Sequence, residues 1–332
     1  MLHRDWSVAR LVDAAAARLA GLQACLPSRR LFAGTKFGHA TRELRCAPIN
    51  RQARLCRIRV GHSQRIVLLS ALQSAVKQKV GYDMTISKLA KDERERLQPA
   101  ALRIARYDWD VIGSDLGAFG AAVLDKLLTP VECQDISALY PREECFRSHI
   151  HMARHGFGRG EYRYFKYPLP SLIADLRTTL YSRVVVFANE WNARMNIATR
   201  YPNAHSDYLK ICHCAGQMRP TPLLLQYGPS DYNCLHQDLY GDLAFPLQVT
   251  VLLSEPNRDF TGGEFVLTEQ RPRMQSRVEV VPLRQGDAVL FAVHNRPIQG
   301  TKGAYRVNLR HGVSRVRSGQ RHTLGIIFHD AK

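Results

Sequence analysis

Beyond Pro220 the chain becomes a succession of short apolar runs, each closed by a turn signal: Leu223–Tyr227, Leu247–Leu253, Glu264–Thr268, Val278–Pro282, Ala288–Val293 and Thr323–Phe328. Gly228-Pro229, Glu255-Pro256-Asn257, Gly262-Gly263 and Gly286-Asp287 punctuate them. Runs this short fit strands and are too brief for helices of ordinary length, and Gly and Pro between them favour chain reversal. The stretch ahead of them reads differently. Asp108 to Leu128 has helical spacing, Thr129-Pro130 opens a second helix through Tyr140, and a third covers Ser171 to Ile197. Helices first and many short strands afterwards predict an α+β chain with a β-sandwich or jelly-roll core and supporting N-terminal helices.

The division expected is a basic extension over residues 1–105 and a catalytic-sized domain over 106–332, helical to 220 and jelly roll over 221–330. Residues 1–63 are rich in Arg, Ala and Gly, with one amphipathic stretch near Val8 to Leu22, and otherwise read as largely disordered. Residues 64–104 carry Ile66, Leu69, Leu72, Ala75 and Val76 at helical spacing. Net charge follows the same division: the formal +18 separates into +13 over 1–105, −4 over 106–270 and +9 over 271–332. Clustered bases favour phosphate-bearing or acidic partners, although a solvated surface gives the same pattern. Within that basic tail, Arg271, Arg273, Arg277, Arg284, Arg296, Lys302, Arg306, Arg310, Arg315 and Arg317 flank the site-forming segments.

No run approaches the roughly 18 apolar residues that span a bilayer, and Met1 to Leu26 is interrupted by Arg4, Asp5, Arg10, Asp13 and Arg18, with no compact apolar core of a secretory leader. The eight cysteines are scattered and form no CxxC pair, which points to free thiols in a reducing, cytoplasmic setting. Cys212-His213-Cys214, on a strand, would aim both sulfurs to one face, but no second pair completes a metal site, and buried thiols are favoured.

Chemistry concentrates in the strand-rich half. In Asn233-Cys234-Leu235-His236-Gln237-Asp238 the HxD spacing puts an imidazole and a carboxylate on one face of an extended strand, where both can reach one metal. His311 follows 73 residues later in Arg310-His311-Gly312-Val313-Ser314. Two His and one carboxylate on one face of an octahedron leave three positions open, which suits non-haem Fe(II) binding a bidentate cosubstrate and O2 together. Ten residues after His311 stands Arg321, whose guanidinium on the next strand would clamp a distal carboxylate, with Thr323 on the same strand face as a further donor. His294 and His322 compete with His311 but fit less well: Ala304 stands ten residues beyond His294 where a basic residue is needed, and the residue ten beyond His322 is Lys332, at the chain terminus.

HxD, the Gly262 to Phe265 entry, the Gly286-Asp287 turn, His311 and Arg321 together resemble the 2-oxoglutarate/Fe(II) dioxygenase superfamily over about residues 221–330. The His-to-Arg spacing resembles its prolyl-hydroxylase-like branch. More specifically, the stretch from Arg154-His155-Gly156-Phe157-Gly158-Arg159-Gly160-Glu161-Tyr162 to Ile327-Phe328-His329-Asp330 looks like a bacterial family described as oxygenases acting oxidatively on damaged DNA. The resemblance implies a double-stranded β-helix, Fe(II) held by His236, Asp238 and His311, and 2-oxoglutarate anchored by Arg321. It also implies O2 as second cosubstrate, release of succinate and hydroxylation of a C–H bond. Tyr227 resembles a strand tyrosine lining the cosubstrate pocket, and Tyr240 shares a strand face with the ligands and would lie on the substrate side.

Two further motifs stand ahead of the strand-rich half. His149, His151 and His155 form HxHxxxH with no carboxylate before Glu161, and ordinary hydrogen-bonded histidines are favoured. Arg159, Tyr162, Arg163, Tyr164, Phe165, Lys166 and Tyr167 alternate bases with aromatics, as a strand with a buried aromatic face would, and as a nucleic-acid surface or a substrate lid would. The leading expectation is oxidation of an alkylated base in damaged or single-stranded DNA. The alternatives are a protein or small-molecule hydroxylase using the same site, and a non-catalytic nucleic-acid-binding scaffold, which an intact triad and anchor argue against.

Overall fold

Strands of alternating pattern must bury one face, and here two antiparallel sheets bury theirs against each other. The computed structural model describes residues 99–332 apart from Lys302, all within the unit Leu69–Lys332. The expected disorder of residues 1–63, the helix near Val8 to Leu22 and most of the helical stretch 64–104 lie outside the described residues. In chain order the first elements are helices α1 (Ala100–Ala105) and α2 (Trp109–Phe119), strand β1 (Ala121–Leu124) and helix α3 (Pro130–Ser137). Strands β2 (Phe146–His151), β3 (Gly158–Arg159) and β4 (Glu161–Phe165) and helices α4 (Ser171–Arg194) and α5 (His205–Cys214) follow. Then come β5 (Leu223–Tyr227), β6 (Tyr232–His236), β7 (Leu247–Leu252), β8 (Phe260–Gly262), β9 (Phe265–Gln270) and β10 (Arg277–Val281). The last are β11 (Ala288–Ala292), β12 (Asn295–Gly300), β13 (Gly303–Val313), β14 (Val316–Gly319) and β15 (Arg321–Ile326).

The major sheet has the order β1-β11-β7-β15-β5-β4-β2 and the minor sheet β10-β9-β13-β6-β3, with β12 beside β13 and a separate β8–β14 pair. From β5 onward the chain crosses repeatedly between the two sheets, with the β9–β10 and β12–β13 hairpins inside the minor one, which is the wrapping of a jelly roll, a double-stranded β-helix. Strand β11 shows why its sequence is apolar throughout: Ala288, Leu290 and Ala292 join the cluster under the helices, while Val289 and Phe291 pack with Phe265 and Leu267 of the minor sheet. Both faces are buried, so no polar residue alternates in. Helix α4 covers the outer face of the major sheet with Ile173, Leu176, Leu180, Val184 and Ala188, which recur at helical spacing and meet Leu224, Val249, Val251 and Leu324.

That helix is tied to the C-terminal segment by a buried ion pair. The Arg177 guanidinium donates to Asp330 Oδ1 at 2.8 Å and to the carbonyls of Ile327 (2.8 Å) and His329 (3.0 Å). Asp330 also accepts from the Tyr167 hydroxyl at 2.9 Å and lies 2.8 Å from His213 Nε2.

Three expectations differ from the structure. The helix expected to reach Leu128 stops at Gly120, which takes a left-handed conformation (φ 79°) where a Cβ would lie 2.5 Å from the Leu309 side chain. The Ala121–Leu124 run that follows is apolar because it pairs with β11 at the sheet edge. Second, the stretch 106–220, expected to be helical, also contributes β2 and β4 to the major sheet and β3 to the minor one. Third, Cys212-His213-Cys214 ends helix α5 instead of lying on a strand, with Cys212 buried and Cys214 exposed, so the two sulfurs do not share a face. Among the described residues no helix is long and apolar enough to cross a membrane.

Candidate metal centre

The two sheets meet around His236, Asp238 and His311. His236 ends β6, and its Cα partner across the antiparallel ladder is His311 on β13. Gly312 permits this approach, since a Cβ there would lie 2.8 Å from the Asn233 carbonyl oxygen. His236 Nδ1 lies 2.8 Å from the Cys234 carbonyl, which can only accept, so Nδ1 carries the proton and Nε2 presents its lone pair. His236 Nε2 is 3.4 Å from Asp238 Oδ1, and His311 Nε2 is 3.4 Å from Asp238 Oδ2. The two rings are 4.2 Å apart. Three donor atoms thus face one point at distances too long for good mutual hydrogen bonds, which is the arrangement a bridging cation completes.

The electrostatics agree. Burial works to raise the Asp238 pKa, but the histidines beside it more than offset this and hold the carboxyl well below its usual range. Burial lowers the pKa of His311 and favours its neutral, ligating form, whereas at His236 burial is outweighed by Asp238, which raises the pKa. His311 Nδ1 is buried without a hydrogen-bond partner. An ionised carboxylate with two imidazoles is a fitting donor set for a divalent first-row metal such as Fe(II).

From this cluster a cavity of about 190 Å³ runs inward to Arg321, Tyr227 and Thr323. Arg321 is 1% exposed, and among the described residues no carboxylate comes within ion-pairing distance of it. Burial lowers its pKa to about 10, only partly countered by Tyr227 and Glu264, so it is still charged at neutral pH. Its Nη1 is 3.4 Å from Thr323 Oγ1, and its guanidinium lies 5.5 Å from the Tyr227 ring centroid. Arg321 Nε, the Tyr227 hydroxyl and Gln248 Oε1 are buried with no partner. Buried polar atoms left unsatisfied together, beside an unpaired cation, are unfavourable unless an anionic ligand joins them.

The other candidates fall on both sides of the cavity wall. Tyr162 and Tyr240 line it, with Phe157 beside them. Tyr240 does more than wall the substrate side: its hydroxyl donates to Asp238 Oδ1 at 2.7 Å. Removing that hydroxyl in Tyr240→Phe is expected to weaken metal binding about tenfold, read by metal titration of the apoprotein; unchanged affinity would show that Asp238 is oriented without it. Tyr164 and Arg159 do not line the cavity. Tyr164 packs edge-on to Tyr240 with Arg147 over its ring, and Arg159 is an exposed side chain 3.7 Å from Asp231. His294 stays outside the cavity beside Asn295, and His322 packs against Tyr140. Gln248 and Thr250 line the cavity and were not anticipated. Their signal was present: two polar residues, two apart, in an otherwise apolar strand mark one face as something other than core.

Jelly roll, converging triad and buried arginine together define a metal-dependent oxidative enzyme as the class to which this architecture belongs. A family model described as "Oxygenase, catalysing oxidative methylation of damaged DNA" matches residues 160–331, just over half of the chain. The chain belongs to that oxygenase family. It is also 47% identical over 167 residues to an uncharacterised protein of Mycobacterium tuberculosis, found in strains CDC 1551/Oshkosh and ATCC 25618/H37Rv, covering 50% of this chain and 72% of the relative. Similar solved structures include a Pseudomonas putida prolyl-4-hydroxylase, with 13% identity and a TM-score of 0.42 over 68% of this chain and 99% of that one. Another is a 2OG-Fe(II) oxygenase family oxidoreductase from Burkholderia pseudomallei, with 15% identity and a TM-score of 0.41 over 68% and 93%.

Proposed function

We propose that the chain is an Fe(II)- and 2-oxoglutarate-dependent dioxygenase that oxidises alkylated bases in damaged DNA, acting in the cytoplasm. The observation that carries the cofactor reading is Arg321, a buried and unpaired guanidinium at the far end of a cavity whose other end is a two-His, one-carboxylate cluster. His236, Asp238 and His311 would hold the metal. Arg321 and Thr323 would take the far carboxylate of 2-oxoglutarate, and the Tyr227 hydroxyl and Gln248 would supply polar contacts along its length. When bound, iron with 2-oxoglutarate and O2 supplies the oxidant for a C–H bond, and the cosubstrate leaves as succinate and CO2. The chain's own part is to orient the cosubstrate, to keep water from the reacting centre and to present the substrate.

The substrate reading is supported by the family's description and by the composition of the cavity mouth. Phe157, Tyr162 and Tyr240 give aromatic faces against which a planar base could stack. Phe157, Leu235 and Leu239 remain exposed beside the triad. Arg310, Arg315 and Arg317 are exposed on and just beyond the strand that carries His311, whereas Arg271, Arg277 and Arg296 of the basic tail are engaged with Glu269. A base in a duplex would have to be flipped out or offered single-stranded to reach such a cavity.

The test is succinate release by the iron-loaded full chain in the presence of methylated single-stranded oligonucleotides, unmodified oligonucleotides, proline-containing peptides and small metabolites. Stimulation by the methylated strand, with removal of its methyl group, is the expected result. Stimulation by peptide or metabolite alone would replace the nucleic-acid reading with a hydroxylase of that substrate.

A further inference from the structure

The chain builds a second cluster of metal-ligating side chains by the same strand geometry as the first. His149 and His151 stand two apart on β2 and project to one face, and Glu161 on β4 is the Cα partner of His151. His149 Nε2 lies 2.5 Å and His151 Nδ1 3.5 Å from the same oxygen, Glu161 Oε2. The imidazole rings are 4.4 Å apart, and the three ligand atoms all lie within 4.8 Å of one another. His155, the third histidine of the sequence motif, is stacked on Phe157 instead. What the linear motif lacked was a carboxylate, and antiparallel pairing of β2 with β4 supplies it.

We propose that His149, His151 and Glu161 bind a divalent late first-row cation, with Zn2+ the best match to two imidazoles and one carboxylate. One hydrogen bond to Glu161 accounts for one imidazole. It does not account for the second ring, whose nitrogen faces the same oxygen at 3.5 Å, beyond a good hydrogen bond. All three side chains are partly exposed (32%, 44% and 31%), which leaves an entry path and room for water to complete a tetrahedron. The cluster is separate from the cavity. Glu161 pairs through Gln226 toward His322, on the sheet face opposite Tyr162, Leu225 and Thr323, which line the cavity.

Its position gives the ion a role. Residues 152–160, between the two strands, carry Phe157 of the cavity wall and strand β3, which pairs with the iron-bearing strand through Gly158 with Asn233 and Arg159 with Tyr232. A cation joining β2 to β4 would close the base of that loop and hold the Phe157 wall in place beside the triad. The site stands on its own ligands and does not depend on the nature of the oxygenase substrate.

The experiment is Zn2+ binding by chelator-stripped full-length protein, counted by equilibrium dialysis and elemental analysis. Wild type is expected to take up two ions per chain, one at each cluster. His149→Ala and Glu161→Gln should each remove one ion, and His236→Ala/His311→Ala should remove the other. Zn2+ should also slow amide hydrogen exchange across residues 152–160 in wild type and in the His236→Ala/His311→Ala variant, but not in His149→Ala. A count that does not fall in folded His149→Ala overturns the proposal. Should that variant fail to fold, absence of Zn2+-dependent protection over 152–160 in the wild type overturns it equally.

Discussion

Arg321→Met is expected to weaken 2-oxoglutarate binding by about 10² to 10³-fold while leaving the apoprotein at least as stable as the wild type. The two outcomes have one cause. A guanidinium 1% exposed, with no carboxylate partner among the described residues, is held in the fold at an energetic disadvantage that only an anionic ligand relieves. Methionine fills similar space without the charge, so folding does not suffer. With Arg321 as the proposed anchor, binding would lose a bidentate, charge-assisted contact. Arg321→Lys should fall between, because an ammonium keeps the charge and loses the planar fork. Calorimetric titration of 2-oxoglutarate and a thermal melt of the apoprotein give the two readings. Unchanged affinity would move the anchor elsewhere, and a collapsed melting temperature would make Arg321 a structural residue.

Asp330→Ala is expected to destabilise the fold by about 3–5 kcal/mol, because it strands a buried charge. Arg177 is 2% exposed and Asp330 fully buried, and their contacts join helix α4 to the segment after β15. In a domain of this size that is a fall in melting temperature on the order of 10 °C. Replacing both partners, as Arg177→Met/Asp330→Leu, should restore much of the loss, because no ion is then left unpaired. Acid should act in the same direction. Burial works to raise the Asp330 pKa, but Arg177 and the donors around it more than offset this, so the native value lies below that of a free carboxyl. A carboxylate with a depressed native pKa contributes its full stabilisation above the unfolded value, about pH 4, and loses it as pH falls through the native one. Melting curves from pH 6 downward should therefore show a loss in wild type that the doubly replaced variant does not share. A parallel fall in both would assign acid sensitivity to other groups.

How far the site was legible in the sequence follows from how local its determinants are. His236 and Asp238 could be placed together from their spacing, because an extended segment projects alternate residues to one side, although β6 itself ends at His236 and Asp238 lies just beyond it. His311 needed Arg321 as a companion to be chosen over His294 and His322, and the ladder between β6 and β13 then sets it opposite His236. Tyr227 and Thr323 were expected beside Arg321, and both line the cavity with it. Tyr162 and Tyr164 share one face of β4, and the sequence could not say that the cavity reaches Tyr162 and stops short of Tyr164. Which face of β4 meets the cavity depends on its pairing with β5.

Elements whose burial is two-sided were legible, and those that owe their place to a distant partner were not. Strands β5, β7 and β11 stand out because apolar side chains face both layers or one continuous core. Strand β1 is indistinguishable in sequence from an extension of the preceding helix, since Ala-Ala-Val-Leu suits either state, and only Gly120 and the open edge of β11 decide between them. Strand β13 is exposed over its first four residues and buried over its last three, with alternation only between, so its length is set by neighbours on both sides. The sequence alone determined the donor types for one metal, a basic residue for an acidic cosubstrate and a strand-rich half to hold them, because these are properties of residue type and local period. Tertiary structure alone decided that Glu161 joins His149 and His151, that Tyr240 supports Asp238 and that Arg321 lies unpaired in the dark of the cavity. Each of those depends on which strands pair and in what register, which is settled by the whole core at once.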